Sequence, residues 1–305
     1  MSFTSLELNS LKALPCFAEV IEVLLLEQGM SHTCAKVITA SQVFFVKKLH
    51  VETANKEVFC SMLAAKQGLS PTIVYHDTMW LVTEFIEGTC LAQSQFSLTT
   101  ENKIATSLRL MNKLHQLTLH GSDHRLSSLN VNKSILDLVN NADSLFEQQR
   151  SIIKQVTKRL STEINTQLSL SGTSSVFCHG DINYSNVLID NDNKPWLIDF
   201  ECAHLAPIEF DLAMFIAINN ISADLIDNIL ASYIRLAPNY RPNIKLLTYY
   251  ILYSNLLNAL WYFEQIIDSN CRAIFQPLML QQCATFDNVA NLYQIKIERL
   301  LPLFL

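Results

Sequence analysis

Two short apolar runs, Val187 to Ile189 and Trp196 to Ile198, flank five turn-forming residues, Asp190, Asn191, Asp192, Asn193 and Lys194. Runs this short, bounded by turn residues, predict a β-hairpin. Centring the turn on Asp192 and Asn193 pairs Val187 with Ile198, Leu188 with Leu197 and Ile189 with Trp196. That register sets Asn186 directly across from Asp199 at the open end, where two oxygen ligands can share one hard cation. Asp181 lies five residues before Asn186, in the loop that feeds the hairpin. A carboxylate there can accept a hydroxyl proton while metal ions neutralise a transferring phosphoryl group.

The rest of the chain narrows the setting. With 305 residues, about two domains or lobes are expected. Half of the residues are hydrophobic and only 16% charged, which favours a sizeable core and argues against disorder. The net charge of −6 comes without a basic stripe, so a nucleic-acid partner has no electrostatic support. None of the eight cysteines forms a C-x-x-C pair, so neither a zinc site nor a redox dithiol is indicated, and buried reduced thiols are expected. Glu7, Lys12, Glu19 and Glu22 interrupt the N-terminal region, and no uncharged apolar stretch is long enough for a bilayer. The expectation is a cytoplasmic protein with no membrane association.

Periodicity predicts a helix over 10–28, with Leu11, Leu14, Ala18, Ile21 and Leu25 on one stripe. A turn-like break follows at 29–33. Strands are then predicted at Ala35–Thr39 and Val43–Leu49, a helix at 53–67, and strands at Ile73–Tyr75 and Trp80–Phe85, with Glu87 and Gly88 ending the sheet. From about Leu98 the pattern is helical: 99–118, 133–140, 143–168, 209–219, 222–236, 243–267 and 279–300. The β-rich stretch Val187–Phe200 interrupts it.

His179, Asp181 and Asn186, spaced as H-x-D-x-x-x-x-N, followed by Ile198, Asp199, Phe200 and Glu201, resemble the catalytic and metal-binding loops of kinase-fold small-molecule phosphotransferases. This is the aminoglycoside phosphotransferase, choline/ethanolamine kinase and thiamine kinase group. The resemblance implies an α+β, protein-kinase-like two-lobed fold: a small antiparallel-sheet N-lobe over residues 1–88 and a mostly helical C-lobe over 89–305. It also implies ATP and Mg²⁺ as cofactors, with Asp181 as base and Asn186 and Asp199 as metal ligands. Asp211 matches the group's following aspartate, which braces the catalytic loop, and His179 is expected to orient that loop. Residues 28–37 are similar to the group's nucleotide loop, which assigns Ser31, His32 and Thr33 to the phosphates, although His32 and Ala35 replace the usual asparagine and aromatic residue. Phe44 to Leu49 resembles the strand whose lysine grips ATP. Alternation lets Lys47 or Lys48 face the nucleotide, not both; Lys47 follows an apolar triplet as in the kinase pattern, with Glu57 as its implied ion-pair partner. Val82 to Gly88 resembles the hinge, where backbone groups near Glu84 and Ile86 would bind adenine.

The substrate expected is a small alcohol, cationic in the choline/ethanolamine-like case, then thiamine-like, with an aminoglycoside next in order. The D-F-E form at Asp199 to Glu201 leans toward the choline and thiamine kinase branch. Tyr249, Tyr250, Tyr253, Trp261, Tyr262 and Phe263 crowd one segment, and Tyr253 and Trp261 are candidates to cage a quaternary ammonium. An ordinary aromatic core helix accounts for the same pattern. Glu201 could serve a second metal or a cationic substrate, or be a solvated loop residue. His115, on an apolar helix face, is expected to be a satisfied core or interlobe histidine. A pseudokinase that binds nucleotide without turnover is the competing class.

Overall fold

The computed structural model describes residues 3–26, 33–93, 99–118, 125–142, 145–266 and 271–305. The chain falls into two compact units. The first comprises Met1–Leu114, Thr118–Leu126 and Tyr184–Ala203; the second comprises His115–Leu117, Ser127–Asn183 and His204–Leu305.

In the first unit, α1 (Ser5–Lys12) begins at a capping box in which Thr4 and Glu7 satisfy each other's backbone amides. Strands β1 (Val20–Leu26), β2 (Cys34–Thr39), β3 (Val43–Lys48), β4 (Ile73–His76) and β5 (Trp80–Glu84) form an antiparallel sheet in the order β1-β2-β3-β5-β4, and α2 (Ala54–Lys66) separates β3 from β4. Alternation decides the faces. Val37, Phe44, Val46, Trp80 and Val82 bury against Leu11, Leu14 and Phe17, which places α1 on that side. Leu81 packs with Ala54 and Val58 of α2 on the other. Of the helix predicted over 10–28, only 10–12 are helical among the described residues and Val20–Leu26 is a strand; positions 27–32, with most of the predicted break at 29–33, lie outside the described residues. Pro15 cannot extend a helix past α1, and the β-branched residues Val20, Ile21 and Val23 favour an edge strand.

A second sheet, β6-β8-β9, joins β6 (Gly88–Cys90) to the hairpin β8 (Val187–Asp190) and β9 (Pro195–Leu197). Gly88 thus opens a strand as well as following the larger sheet. The hairpin exists, but its register is one residue away from the expected one: Val187 pairs with Leu197, Leu188 with Trp196 and Ile189 with Pro195. The reason is a three-residue loop. The Asp190 amide donates to the Lys194 carbonyl at 3.0 Å, and the Asp190 carboxylate accepts from the amides of Asp192 and Lys194. Asn193 takes the left-handed conformation (φ 63°), the geometry of a type I turn closed by an αL residue.

Helices α3 (Thr100–His115), α4 (Val131–Asn141), α5 (Glu147–Ser171), α6 (Ile208–Ile218), α7 (Ile226–Leu236) and α8 (Ile244–Gln265) lie where helices are predicted; predicted positions 143, 144 and 267 lie outside the described residues. The last long helix, α9 (Arg272–Leu292), begins and ends earlier than the 279–300 expected, with Gln294 in the left-handed region (φ 54°) just beyond it. A four-residue helix α10 (Leu301–Phe304) follows. In the second unit α8 packs against α4, α5, α6 and α9 and is buried nearly all round, as a helix apolar on every side must be. Two short strands, β7 (Val176–Cys178) and β10 (His204–Ala206), pair antiparallel, β7 leading into His179 and β10 into α6. Among the described residues no helix is long and apolar enough to cross a membrane.

Candidate active site

In the first unit the site centres on Lys47. Alternation along β3 turns Phe45 and Lys47 to the α2 side of the sheet, where the Lys47 ammonium meets Glu57 Oε1 at 2.6 Å and Asp199 Oδ1 at 2.8 Å. Lys48 points the other way and pairs with Glu7 of α1. Burial of Lys47, only 4% exposed, works against its charge, but Asp199 and Glu57 outweigh it and hold the ammonium above the ordinary lysine range. Cys34 lies across from Lys47 on β2, and burial pushes its thiol up to about 12.

Asp199 follows β9 with φ 68°, a conformation uncommon outside glycine but tolerated by aspartate. It turns the chain out of the hairpin while Phe200 is fully buried. With the shifted register, Asn186 is not directly across from Asp199: its carbonyl accepts the Ile198 amide at 3.1 Å, and it ends a single 3₁₀ turn, Tyr184–Asn186. Carboxylate oxygens of Glu57, Asp199 and Glu201 lie within 4.8 Å of one another. An all-oxygen donor set of this kind suits a hard divalent cation such as magnesium.

Two further groups of candidates are spread along the same unit. The Thr33 carbonyl accepts the Lys48 amide at 3.0 Å, extending the β2–β3 ladder; Ser31 and His32 lie outside the described residues. Glu84 ends β5, its carboxylate accepting from the amide and hydroxyl of Thr72, and Ile86 lies in the connection to β6. Nearby, Lys36 of β2 pairs with Glu87 at 2.7 Å and lies 4.2 Å from the Phe85 ring centroid, an arrangement with no signature in the local sequence.

In the second unit the loop after β7 is built around Asp211, in the first turns of α6. Its carboxylate accepts the amides of His179 at 3.0 Å and Gly180 at 2.7 Å. Gly180 has φ 76°, which a glycine adopts without strain. Burial would push Asp211 up, but the hydrogen bonds from His115 and the Gly180 amide hold its carboxyl below the ordinary range. Asp181, the next residue, has both carboxylate oxygens bridged by the Asn183 side-chain amide, at 3.0 and 3.1 Å. Asn219 secures the following Ile182 carbonyl. His115 is wholly engaged, with Nε2 2.9 Å from Asp211 and Nδ1 2.6 Å from the Tyr233 hydroxyl. Asn183 could have been noticed from its place beside Asp181; Tyr233 could not, because 118 residues separate it from His115.

The aromatic residues of α8 divide into two groups. Tyr253 has no exposed surface and packs with Phe210 and Tyr250. Trp261, half-buried, meets Tyr262 and Phe275 at ring-centroid distances of 5.4 and 5.7 Å. Eight residues of helix separate Tyr253 from Trp261, about 12 Å along the axis. Burial, together with the charge of Asp181, pushes the Tyr262 hydroxyl up.

An α+β chain whose five-stranded antiparallel sheet carries a buried, doubly ion-paired lysine, and whose helical part carries a braced carboxylate loop, has the architecture of the kinase-like phosphotransferases. The sequence narrows this further: residues 28–244 match APH, the phosphotransferase enzyme family, and the chain belongs to it. No curated protein sequence matches the chain. Among solved structures, it is similar to a choline/ethanolamine kinase family protein from Mesorhizobium loti (17% identity, TM-score 0.68, covering 92% of each chain). Choline kinase LicA from Streptococcus pneumoniae is similar at 16% identity and TM-score 0.68, over 91% of this chain and 96% of that one. A spectinomycin phosphotransferase, in complex with ADP and spectinomycin, is similar at 14% identity and TM-score 0.61, over 100% and 98%. At these identities the likeness establishes a shared fold.

Proposed function

We propose that this phosphotransferase uses ATP and magnesium to phosphorylate the hydroxyl of a small cationic alcohol of the choline or ethanolamine kind. The observation that carries the reading is Lys47, buried and held between Glu57 and Asp199 at 2.6 and 2.8 Å. A lysine so placed is preorganised to neutralise phosphate oxygens without reorganising when charge shifts. Ser31, His32 and Thr33 would cover the phosphates, and backbone groups near Glu84 and Ile86 would take the adenine. Solved relatives hold AMP or ADP, which supports a nucleotide site. Asn186, Asp199 and Glu201 would hold magnesium, which when bound supplies charge neutralisation on the phosphates.

Asp181 is the base in this reading. The Asn183 amide, donating to both of its oxygens, orients the carboxylate toward an incoming hydroxyl. The proton of the hydroxyl would pass to Asp181 as its oxygen bonds to the γ-phosphorus and the bond from that phosphorus to the β-phosphate oxygen breaks, releasing ADP. Trp261 and Tyr262 supply the aromatic faces for a cationic head group, with the Asp181 charge nearby; Tyr253 belongs to the core. The similarity to a spectinomycin phosphotransferase over the whole chain supports a second reading, an aminoglycoside-type acceptor.

A coupled ADP-release assay with magnesium-ATP against choline, ethanolamine, thiamine, spectinomycin and simple sugars tests this. Choline or ethanolamine should stimulate release, and Asp181→Asn should lower kcat by about 10³-fold. Stimulation by spectinomycin alone would transfer the reading to the aminoglycoside class. Nucleotide binding with no turnover on any alcohol would point to a pseudokinase.

A further inference from the structure

A chain of buried hydrogen bonds in the second unit reaches well beyond the residues assigned to the reaction. It begins at Tyr233 of α7, fully buried, whose hydroxyl lies 2.6 Å from His115 Nδ1. The opposite nitrogen of the same ring lies 2.9 Å from Asp211 Oδ2. That oxygen also accepts the His179 amide, and Oδ1 accepts the Gly180 amide. The residue after Gly180 is Asp181.

We propose that Tyr233 is a positioning residue for the loop that carries Asp181, acting through His115 and Asp211. The donor and acceptor roles follow from the groups themselves. An ionised Asp211 can only accept, so Nε2 of His115 must carry a proton. In the neutral ring Nδ1 is then an acceptor, and the Tyr233 hydroxyl is the donor that matches it. Tyr233 thereby selects the Nε2-protonated tautomer and fixes the plane of the imidazole. Asp211, with one oxygen shared between His115 and His179, is held at the angle that grips both loop amides. Burial keeps the Tyr233 hydroxyl protonated, so the donor persists across the physiological range. Cys178 shares this cluster with His115 and Asp211, but burial pushes its thiol well up and it donates to the Ala206 carbonyl. The cluster is a hydrogen-bonded brace with each ring nitrogen of His115 engaged, not a thiolate metal site.

The proposal deepens the kinase reading and rests on it only for its kinetic arm. Tyr233→Phe removes the donor while keeping the ring that packs edge-on against Tyr240 at 5.5 Å. With the loop loosened, kcat should fall about tenfold while KM for ATP changes by less than about twofold. Two readouts do not depend on turnover. Long-range ¹⁵N–¹H NMR of the unsubstituted protein should show His115 protonated at Nε2 alone, and Tyr233→Phe should lose that single state. Amide exchange at His179 and Gly180 should quicken by about tenfold in the variant while distant helices keep their protection. A His115 protonated at Nδ1 in the unsubstituted protein, neutral or cationic, overturns the proposal whether or not the variant folds. Full kcat with unchanged exchange in a folded Tyr233→Phe overturns it while leaving the kinase reading intact. If the unsubstituted protein phosphorylates no alcohol, the kinase reading fails and the NMR and exchange measurements still decide the role of Tyr233.

Discussion

At the scale of single residues, the charge arrangement around Lys47 is the observation on which the proposed phosphoryl transfer rests. Sequence alternation allowed either Lys47 or Lys48 to face the site, and nothing local distinguishes two adjacent lysines. The fold does so by supplying separate partners: Glu57 and Asp199 for Lys47, and Glu7 of α1 for Lys48. Lys47→Met would leave two carboxylates short of their cation, one of them, Glu57, almost fully buried. We expect it to lower stability by about 3 kcal/mol and phosphoryl transfer by at least about 100-fold. Urea denaturation and the ADP-release assay check the two parts separately, and an unchanged urea midpoint would refute the structural role given to the pair. Tyr253 illustrates the opposite limit. Its aromatic character suggested a cation cage, but a helix packed on all sides puts some rings in the core, and burial cannot be read from ring spacing alone.

Among the elements, the hairpin was legible from the sequence and its register was not. Apolar runs on either side of five turn residues predict two strands, but two-residue and three-residue loops both satisfy such a pattern. The choice lies in the Asp190 carboxylate capping two loop amides and in the left-handed Asn193, and it moves Asn186 one position away from Asp199. The strand β1 was hidden for a related reason: its edge position leaves Ile21, Leu24 and Leu25 exposed, so the alternation that normally betrays a strand is missing. Gly88 matters because β6 approaches β8 closely. A Cβ there would come within 2.1 Å of the Ile189 carbonyl oxygen, a backbone atom that cannot swing aside. Gly88→Ala should therefore lower stability by about 2–3 kcal/mol, read as a lower urea midpoint; a midpoint within error of the parent would mean that the β6–β8 pairing yields easily.

For the molecule as a whole, stability and site geometry meet in the second unit. The same Asp211 that holds the loop ties α6 to the end of α3 through His115. Its folded-state carboxyl titrates below the ordinary value of 3.8, so the unfolded chain takes up its proton first as pH falls. The stabilisation from this group is fully present above that value and is lost as pH drops through the lower, folded one. Unfolding free energies of the parent and Asp211→Asn should differ most between about pH 5 and 7 and converge only as pH falls through the folded carboxyl's own titration, below 3.8. A difference that stays constant down to pH 3 would show that Asp211 is not an ionised brace.

The sequence by itself determined the order of the chemical parts: a lysine strand, a helix carboxylate, an H-x-D loop, a hairpin and a D-F-E turn, followed by helices. Those features depend on spacing within a few residues, where periodicity, turn chemistry and motif order act directly. Only the tertiary structure decided which of two lysines is buried, which register the hairpin takes, which aromatic rings lie in the core, and that Tyr233 meets His115. Each of these turns on where the chain returns after tens of residues, and on which groups lose their water when it does. No local pattern encodes that.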